Sequence, residues 1–255
     1  MIKKILDRIL WLPGMYQLYS FKENSKEMDL IYNQSDLNKK YYDSIKKIGD
    51  NELEHQIGRL TNFSNIISKC KKIDGDFIEF GSWKGFSLLW IAYLMERNAI
   101  FGKKLFGIDG FIGLPYSDGV FKKGLFSDTS LRICRKNVLK NKHLYQRTKK
   151  NIVIEKFLYK DKQPIVDLIK KYKVKKFSFI HIDCDVCQSA EEIFRILIDG
   201  KLISDRGYVL FDDYGWNSGM KYTVDNFIDT MGKDWKITVH SKTRFTKNFQ
   251  FTKKK

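Results

Sequence analysis

The sequence predicts an α/β fold in which a mostly parallel, doubly wound sheet carries an antiparallel pair at its C-terminal edge and a helical cap at its N-terminal side. Three observations carry this expectation. From Asp74 onward, short apolar runs bounded by glycine or charge alternate with longer helical patterns, as β-α units do. The last two apolar stretches instead have partial period-2 alternation and are joined by a short polar link. The 255 residues are 43% hydrophobic and 15% aromatic, with three prolines and 17 glycines, so they supply one sizeable core and little linker. Disorder, collagen, a disulfide-stapled mini-protein and a repeat array of fixed period are excluded.

Taken in order, residues 1–73 read as an N-terminal helical cap, part of the same domain as residues 74–255. Ile2, Ile5, Leu6, Ile9 and Leu10 fall on one face at helical spacing, so the first dozen residues form a short amphipathic helix. Asp7 and Arg8 interrupt its apolar run, and Pro13-Gly14 ends it, which argues against a signal peptide. Leu53, Ile57, Leu60 and Ile67 belong to a further apolar stripe in the cap. Strands are predicted at Phe77 to Phe80, Leu105 to Ile108, Ile152 to Ile154, Phe177 to Ile182 and Tyr208 to Phe211. The helices between them are Gly85 to Arg97, Asp128 to Lys140 with Asp128 as N-cap, Pro164 to Tyr172, Ser189 to Ile198 and Lys221 to Thr230. Trp235 to His240 and Arg244 to Phe251 form the antiparallel edge pair.

The four cysteines, Cys70, Cys134, Cys184 and Cys187, are too few and too scattered for a disulfide framework, so a reducing, cytoplasmic location is expected. Cys184 and Cys187 make a C-x-x-C without the second pair that a structural zinc site needs. The formal charge of +17 is concentrated: residues 140–176 carry thirteen Lys and Arg against three acids, and residues 241–255 carry six against none. A solvated lysine-rich surface is the plain reading of these segments. Nucleic acid, a membrane surface and an anionic sugar carrier are the alternatives they leave open.

Phe77-Ile-Glu-Phe-Gly-Ser-Trp-Lys-Gly-Phe-Ser87 puts an acid and two glycines where the first strand turns into a helix. Gly81 and Gly85 permit positive φ and close approach of a ligand to the backbone. The spacing is neither the G-x-G-x-x-G of dinucleotide binding nor a P-loop, which speaks against an NAD-dependent oxidoreductase. Asp109 ends the second strand, where a carboxylate can accept both hydroxyls of a ribose. A glycine loop after strand one and an acid after strand two together suit a nucleoside-bearing cofactor. Further along, Phe177-Ser-Phe-Ile-His-Ile-Asp-Cys-Asp185 and Tyr208-Val-Leu-Phe-Asp-Asp-Tyr214 end adjacent strands in acids. Asp183 and the Asp212/Asp213 pair can therefore converge, and carboxylates held together call for a divalent cation of the magnesium, manganese or calcium type. The alternative is that Asp185 and Asp213 face solvent. His181, two residues before Asp183, reads as a core histidine, and His55 as an alternative base offered by the cap.

In this order, these segments resemble the macrocin O-methyltransferase (TylF-type) family of S-adenosylmethionine-dependent enzymes over about residues 75–230. Phe-Gly-Ile-Asp-Gly-Phe-Ile-Gly-Leu-Pro (106–115), His-Ile-Asp-Cys-Asp (181–185) and Phe-Asp-Asp-Tyr-Gly (211–215) carry the resemblance. It implies a Rossmann-like class I methyltransferase fold. It also implies that Glu79, Gly81, Gly85 and Ser87 line the methionine end of the cofactor, that Asp109 holds its ribose, and that Asp183, Asp212 and Asp213 bind Mg2+. More distantly, the pattern is similar to metal-dependent catechol-type O-methyltransferases, whose lysine base would fall on Val186, leaving an aspartate as the base.

The resulting expectation is an O-methyltransferase that uses S-adenosylmethionine and Mg2+, with Asp183 as the catalytic base and a small-molecule or sugar hydroxyl as acceptor. The basic segments keep a second reading in view, a nucleic-acid-binding or RNA-modifying protein on the same fold, although nucleic acid is not the expected partner. A homo-oligomer, or peripheral membrane contact through the N-terminal helix or basic tail, would use the apolar and basic surfaces left over.

Overall fold

The computed structural model describes residues 50–119, 121–140, 144–215 and 218–254. The N-terminal amphipathic helix and most of the predicted cap lie outside the described residues. Of the cap, helix α1 spans Asp50–Cys70. There follow β1 (Asp76–Phe80), α2 (Phe86–Arg97), β2 (Leu105–Asp109), α3 (Leu131–Lys140), β3 (Ile152–Lys156), α4 (Gln163–Tyr172) and β4 (Phe177–Ile182). The chain continues through α5 (Cys187–Asp199), β5 (Ile203–Phe211), α6 (Ser218–Met231), β6 (Trp235–Lys242) and β7 (Lys247–Lys253). The sheet order is β3-β2-β1-β4-β5-β7-β6, parallel except for β7, which pairs antiparallel with both β5 and β6.

Strand alternation sorts the core onto the two faces of this sheet. Phe77, Phe179, Tyr208 and Leu210 point to the side covered by α1 and α2, where Leu60, Phe63, Ile66 and Ile67 of α1 join the same cluster. Ile78, Phe80, Ile180, Ile182, Val209 and Phe211 point to the side covered by α4, α5 and α6. Because β1 and β4 lie in the middle of the sheet and are covered on both faces, apolar residues point to both sides of each, and the polar residues among them are buried too, Glu79 and His181 against one another. The cap segment Leu60 to Cys70 thus shares the core of the domain, while nothing is described of the side chains of Leu53 and Ile57.

Three boundaries differ from the sequence expectation for identifiable reasons. β5 begins at Ile203, not Tyr208, because Ser204 to Gly207 bulge opposite the single residue Ser178, with Arg206 at φ 62°. Helix α3 begins at Leu131, and its cap is Ser130, whose Oγ accepts the Ile133 N–H at 3.1 Å. Asp128 is not that cap; it accepts hydrogen bonds from Trp83 Nε1 at 3.1 Å and from Lys84 Nζ. The turn of the edge pair is the segment 243–246, closed by the Thr246 N–H donating to Thr243 Oγ1 at 3.0 Å, so β7 starts at Lys247.

Candidate active site

At the carboxyl ends of β1, β2, β4 and β5 a cavity of about 430 Å³ opens, within the size range of small-molecule sites. Its wall includes Gly81, Trp83, Asp109, Tyr159, Asp183, Asp185, Asp212 and Asp213, together with His55, Gln56 and Arg59 from α1.

The first wall is built by the β1-α2 turn. Gly81 has φ +91°, and a Cβ there would lie 1.5 Å from the Asp183 carbonyl oxygen, so only glycine lets β1 and β4 turn off the sheet side by side. Gly85 caps α2 in the left-handed region, and a side chain there would meet Val138 and Cys134. Asp109 at the end of β2 locks this turn: its Oδ2 accepts the Trp83 N–H at 2.7 Å and its Oδ1 the Phe111 N–H at 2.6 Å. Trp83 and Phe111 both sit at positive φ, 40° and 49°, so the carboxylate holds two strained backbones in place. Burial raises the Asp109 pKa, the two N–H donors oppose that rise, and nearby Glu79 adds to it. Of the predicted cofactor residues, Gly81 and Asp109 line the cavity, whereas Glu79, Gly85 and Ser87 do not. Glu79 is fully buried and faces His181 across the β1-β4 ladder, its Oε2 3.0 Å from His181 Nδ1; its Oε1 has no hydrogen-bond partner among the described residues.

The second wall holds the acids. Asp212 and Asp213 are both buried but face different partners. Asp212 Oδ2 lies 2.8 Å from His55 Nε2 and accepts a hydrogen bond from Arg59 at 3.1 Å, and its Oδ1 is 3.6 Å from His181 Nε2. Asp213 accepts the Asp185 N–H at 2.9 Å. Asp183 bridges the two groups, accepting from Arg59 NH1 at 2.8 Å. Carboxylate oxygens of Asp183, Asp185 and Asp213 come within 4.8 Å of one another, as do ligand atoms of His181, Asp183 and Asp212. The predicted trio thus meets through Asp183 but is divided between two groups.

Electrostatics follow this division. Burial, with Asp212 close by, pushes Asp183 up to about 7 despite the opposing pull of Arg59. Burial raises Asp185 and Asp213 well above the ordinary carboxylate range, and the neighbouring charges of Asp183 and Asp212 add to the rise of Asp185, those of Asp185 and Asp183 to that of Asp213. Asp212 goes the other way: burial alone would raise it, but Arg59, His55 and His181 hold it well below that range. Burial opposes the charge on His181, yet Asp212 and Glu79 raise it to about 9. All three members of the second carboxylate group therefore resist ionising together, which is the condition a bound divalent cation relieves, and an all-oxygen donor set suits a hard ion.

Sequence reasoning missed Gln56, Arg59 and Asp185 as site residues, and gave His55 no local support. His55 and Arg59 sit four residues apart on one face of α1, so the spacing was present. What the sequence lacked was any sign that this face lies over the carboxyl edge rather than solvent. Gly58 permits the approach, since a Cβ there would lie 2.8 Å from Thr243. Burial pushes both C-x-x-C thiols up, well above the ordinary range for Cys184 and to about 12 for Cys187, which disfavours the thiolate that a metal or redox role needs.

The Macrocin-O-methyltransferase (TylF) family model matches residues 53–239. No curated protein matches the chain. Among solved structures, the O-methyltransferase NovP is 20% identical over 77% of this chain and 81% of its own, with a TM-score of 0.59. CalS11, a calicheamicin methyltransferase, is 12% identical over 91% of this chain and 93% of its own, with a TM-score of 0.62. At these identities the two structures establish the shared fold.

Proposed function

The chain belongs to the macrocin-O-methyltransferase (TylF) family, and from that premise we propose that it methylates a hydroxyl of a sugar or glycosylated metabolite, with Asp183 as base and a divalent cation of the Mg2+ type at the acids. As an S-adenosylmethionine-dependent O-methyltransferase it transfers a sulfonium methyl to an acceptor oxygen, releasing S-adenosylhomocysteine and a proton. The observation that carries the rest is a single cavity with Asp109 on one wall and the four acids of β4 and β5 on the other. Each Asp109 oxygen accepts one backbone N–H and keeps a lone pair, which fits two vicinal ribose hydroxyls. Asp183, with 19% of its side chain exposed against 1% for Asp212, is the acid of the Arg59 group that an acceptor can reach.

Asp183, Asp185 and Asp213 would hold the cation, with Asp212 from the predicted set beside them; when bound, it would lower the cost of an alkoxide-like acceptor oxygen. The acceptor class draws on the cavity's mix of polar groups with Trp83, Phe121 and Phe126, a lining that matches the hydroxyl edges and apolar faces of a sugar ring. A solved relative in fold, CalS11, is a TDP-rhamnose 3'-O-methyltransferase, and that activity motivates the first acceptors to try. The test is methyl transfer to a panel of sugar nucleotides and glycosides, in Mg2+ and in EDTA, by wild type and Asp183→Asn. Full activity in EDTA removes the cation from the reading; an active Asp183→Asn enzyme moves the base elsewhere.

A further inference from the structure

We infer that Arg59 is a built-in cation that competes with the divalent ion for Asp183 and so sets how tightly this enzyme holds its metal. The inference rests on the metal reading above but is tested apart from it. The guanidinium is placed, not merely nearby. Its NH1 donates to Asp183 Oδ2 at 2.8 Å and to Asp212 Oδ2 at 3.1 Å, its NH2 donates to Gln56, and the group lies 5.5 Å from the centre of the Phe86 ring. Only 6% of the side chain is exposed.

One nitrogen therefore bridges two carboxylate oxygens from adjacent strands, as a divalent ion would. Hard divalent ions take oxygen ligands at about 2.0–2.6 Å, so an ion sharing Asp183 with Arg59 draws on the same negative charge, and each cation weakens the other's hold on that carboxylate. The competition is obligatory because a guanidinium stays charged at any pH at which the protein folds, and it repels a second cation across a buried gap. Asp183 belongs to both acid groups, so one residue transmits the choice. With Arg59 in place, Asp212 is neutralised and the cation is left Asp185 and Asp213 plus the free side of Asp183. With Arg59 withdrawn, Asp183 and Asp212 lose their resident positive charge, and the full charge of Asp183 is left to the cation in either group. Arg59 is carried by α1, so metal occupancy and the seating of α1 over the site are coupled.

The test is Mn2+ affinity, measured by electron paramagnetic resonance on the full-length protein, for wild type, Arg59→Gln and Arg59→Lys. Removing the resident charge should tighten Mn2+ binding at least tenfold in Arg59→Gln, while Arg59→Lys, which keeps it, should stay within about threefold of wild type. Equal or weaker binding by Arg59→Gln overturns the inference and leaves the metal reading standing. Binding by neither protein overturns both. Tight binding by Arg59→Gln alone, with wild type active in EDTA, sustains Arg59 as the site's own cation and removes the metal reading. In case Arg59→Gln does not fold, the wild-type Arg59 guanidinium 15N resonance should shift on saturation with Mg2+; an unmoved resonance at saturation refutes the competition.

Discussion

Replacing Asp109 with alanine isolates the cofactor wall from the acid wall. In the folded protein each Asp109 oxygen already accepts one short backbone hydrogen bond, from Trp83 and from Phe111, and each has capacity for one more. Hydrogen bonds to a charged group contribute about 1.5–3 kcal/mol each, and about 1.4 kcal/mol is a factor of ten in affinity. Losing one ribose contact therefore weakens S-adenosylhomocysteine about tenfold, and losing both weakens it about a hundredfold or more. Stability moves less. The raised Asp109 pKa means the folded state favours the protonated acid, so the ionised carboxylate costs stability above the ordinary carboxylate range. Alanine removes that cost together with the two loop hydrogen bonds, and the effects oppose one another. The assay is calorimetric titration with S-adenosylhomocysteine, with circular dichroism to verify folding and Asp109→Asn as an intermediate case. A folded Asp109→Ala protein of unchanged affinity would refute the placement of the ribose.

Three further outcomes are expected. Gly81→Ala should lower unfolding stability by at least about 3 kcal/mol in urea titration, since a Cβ would lie 1.5 Å from the Asp183 carbonyl at a φ of +91°; a variant as stable as wild type would mean that this turn relaxes freely. Ser130→Ala should cost about 1 kcal/mol through loss of the α3 cap, read as a Tm lowered by about 2–4 °C with activity retained, and an unmoved Tm would contradict the capping role. Glu79→Gln should destabilise the protein most at low pH: His181 is raised to about 9, so the stabilisation it draws from Glu79 is complete below its ordinary value near 6.5 and fades as pH rises through 9. A wild-type minus variant difference that grows with pH instead would reverse the assignment of charge to His181.

The sequence by itself determined the sheet and the edge of it that matters. Short, mainly apolar runs such as Phe177 to Ile182 are buried at every position because central parallel strands are covered on both faces, and the glycines and acids that follow them fall at strand ends because regular hydrogen bonding stops there. Gly81, Asp109, Asp183, Asp212 and Asp213 were legible for that reason, and all five line the cavity. Tertiary structure alone decided how those groups divide. Consecutive residues leaving a strand point to opposite faces, so Asp212 turns toward α1 with its Arg59 and His55, while Asp213 turns toward Asp185. Nothing local in α1 records that its His55-Arg59 face will be buried against carboxylates more than a hundred residues away. That pairing depends on long-range packing, through Gly58 against Thr243 and Phe63 against His181, and it converts one predicted acid cluster into two with opposite shifts in acidity.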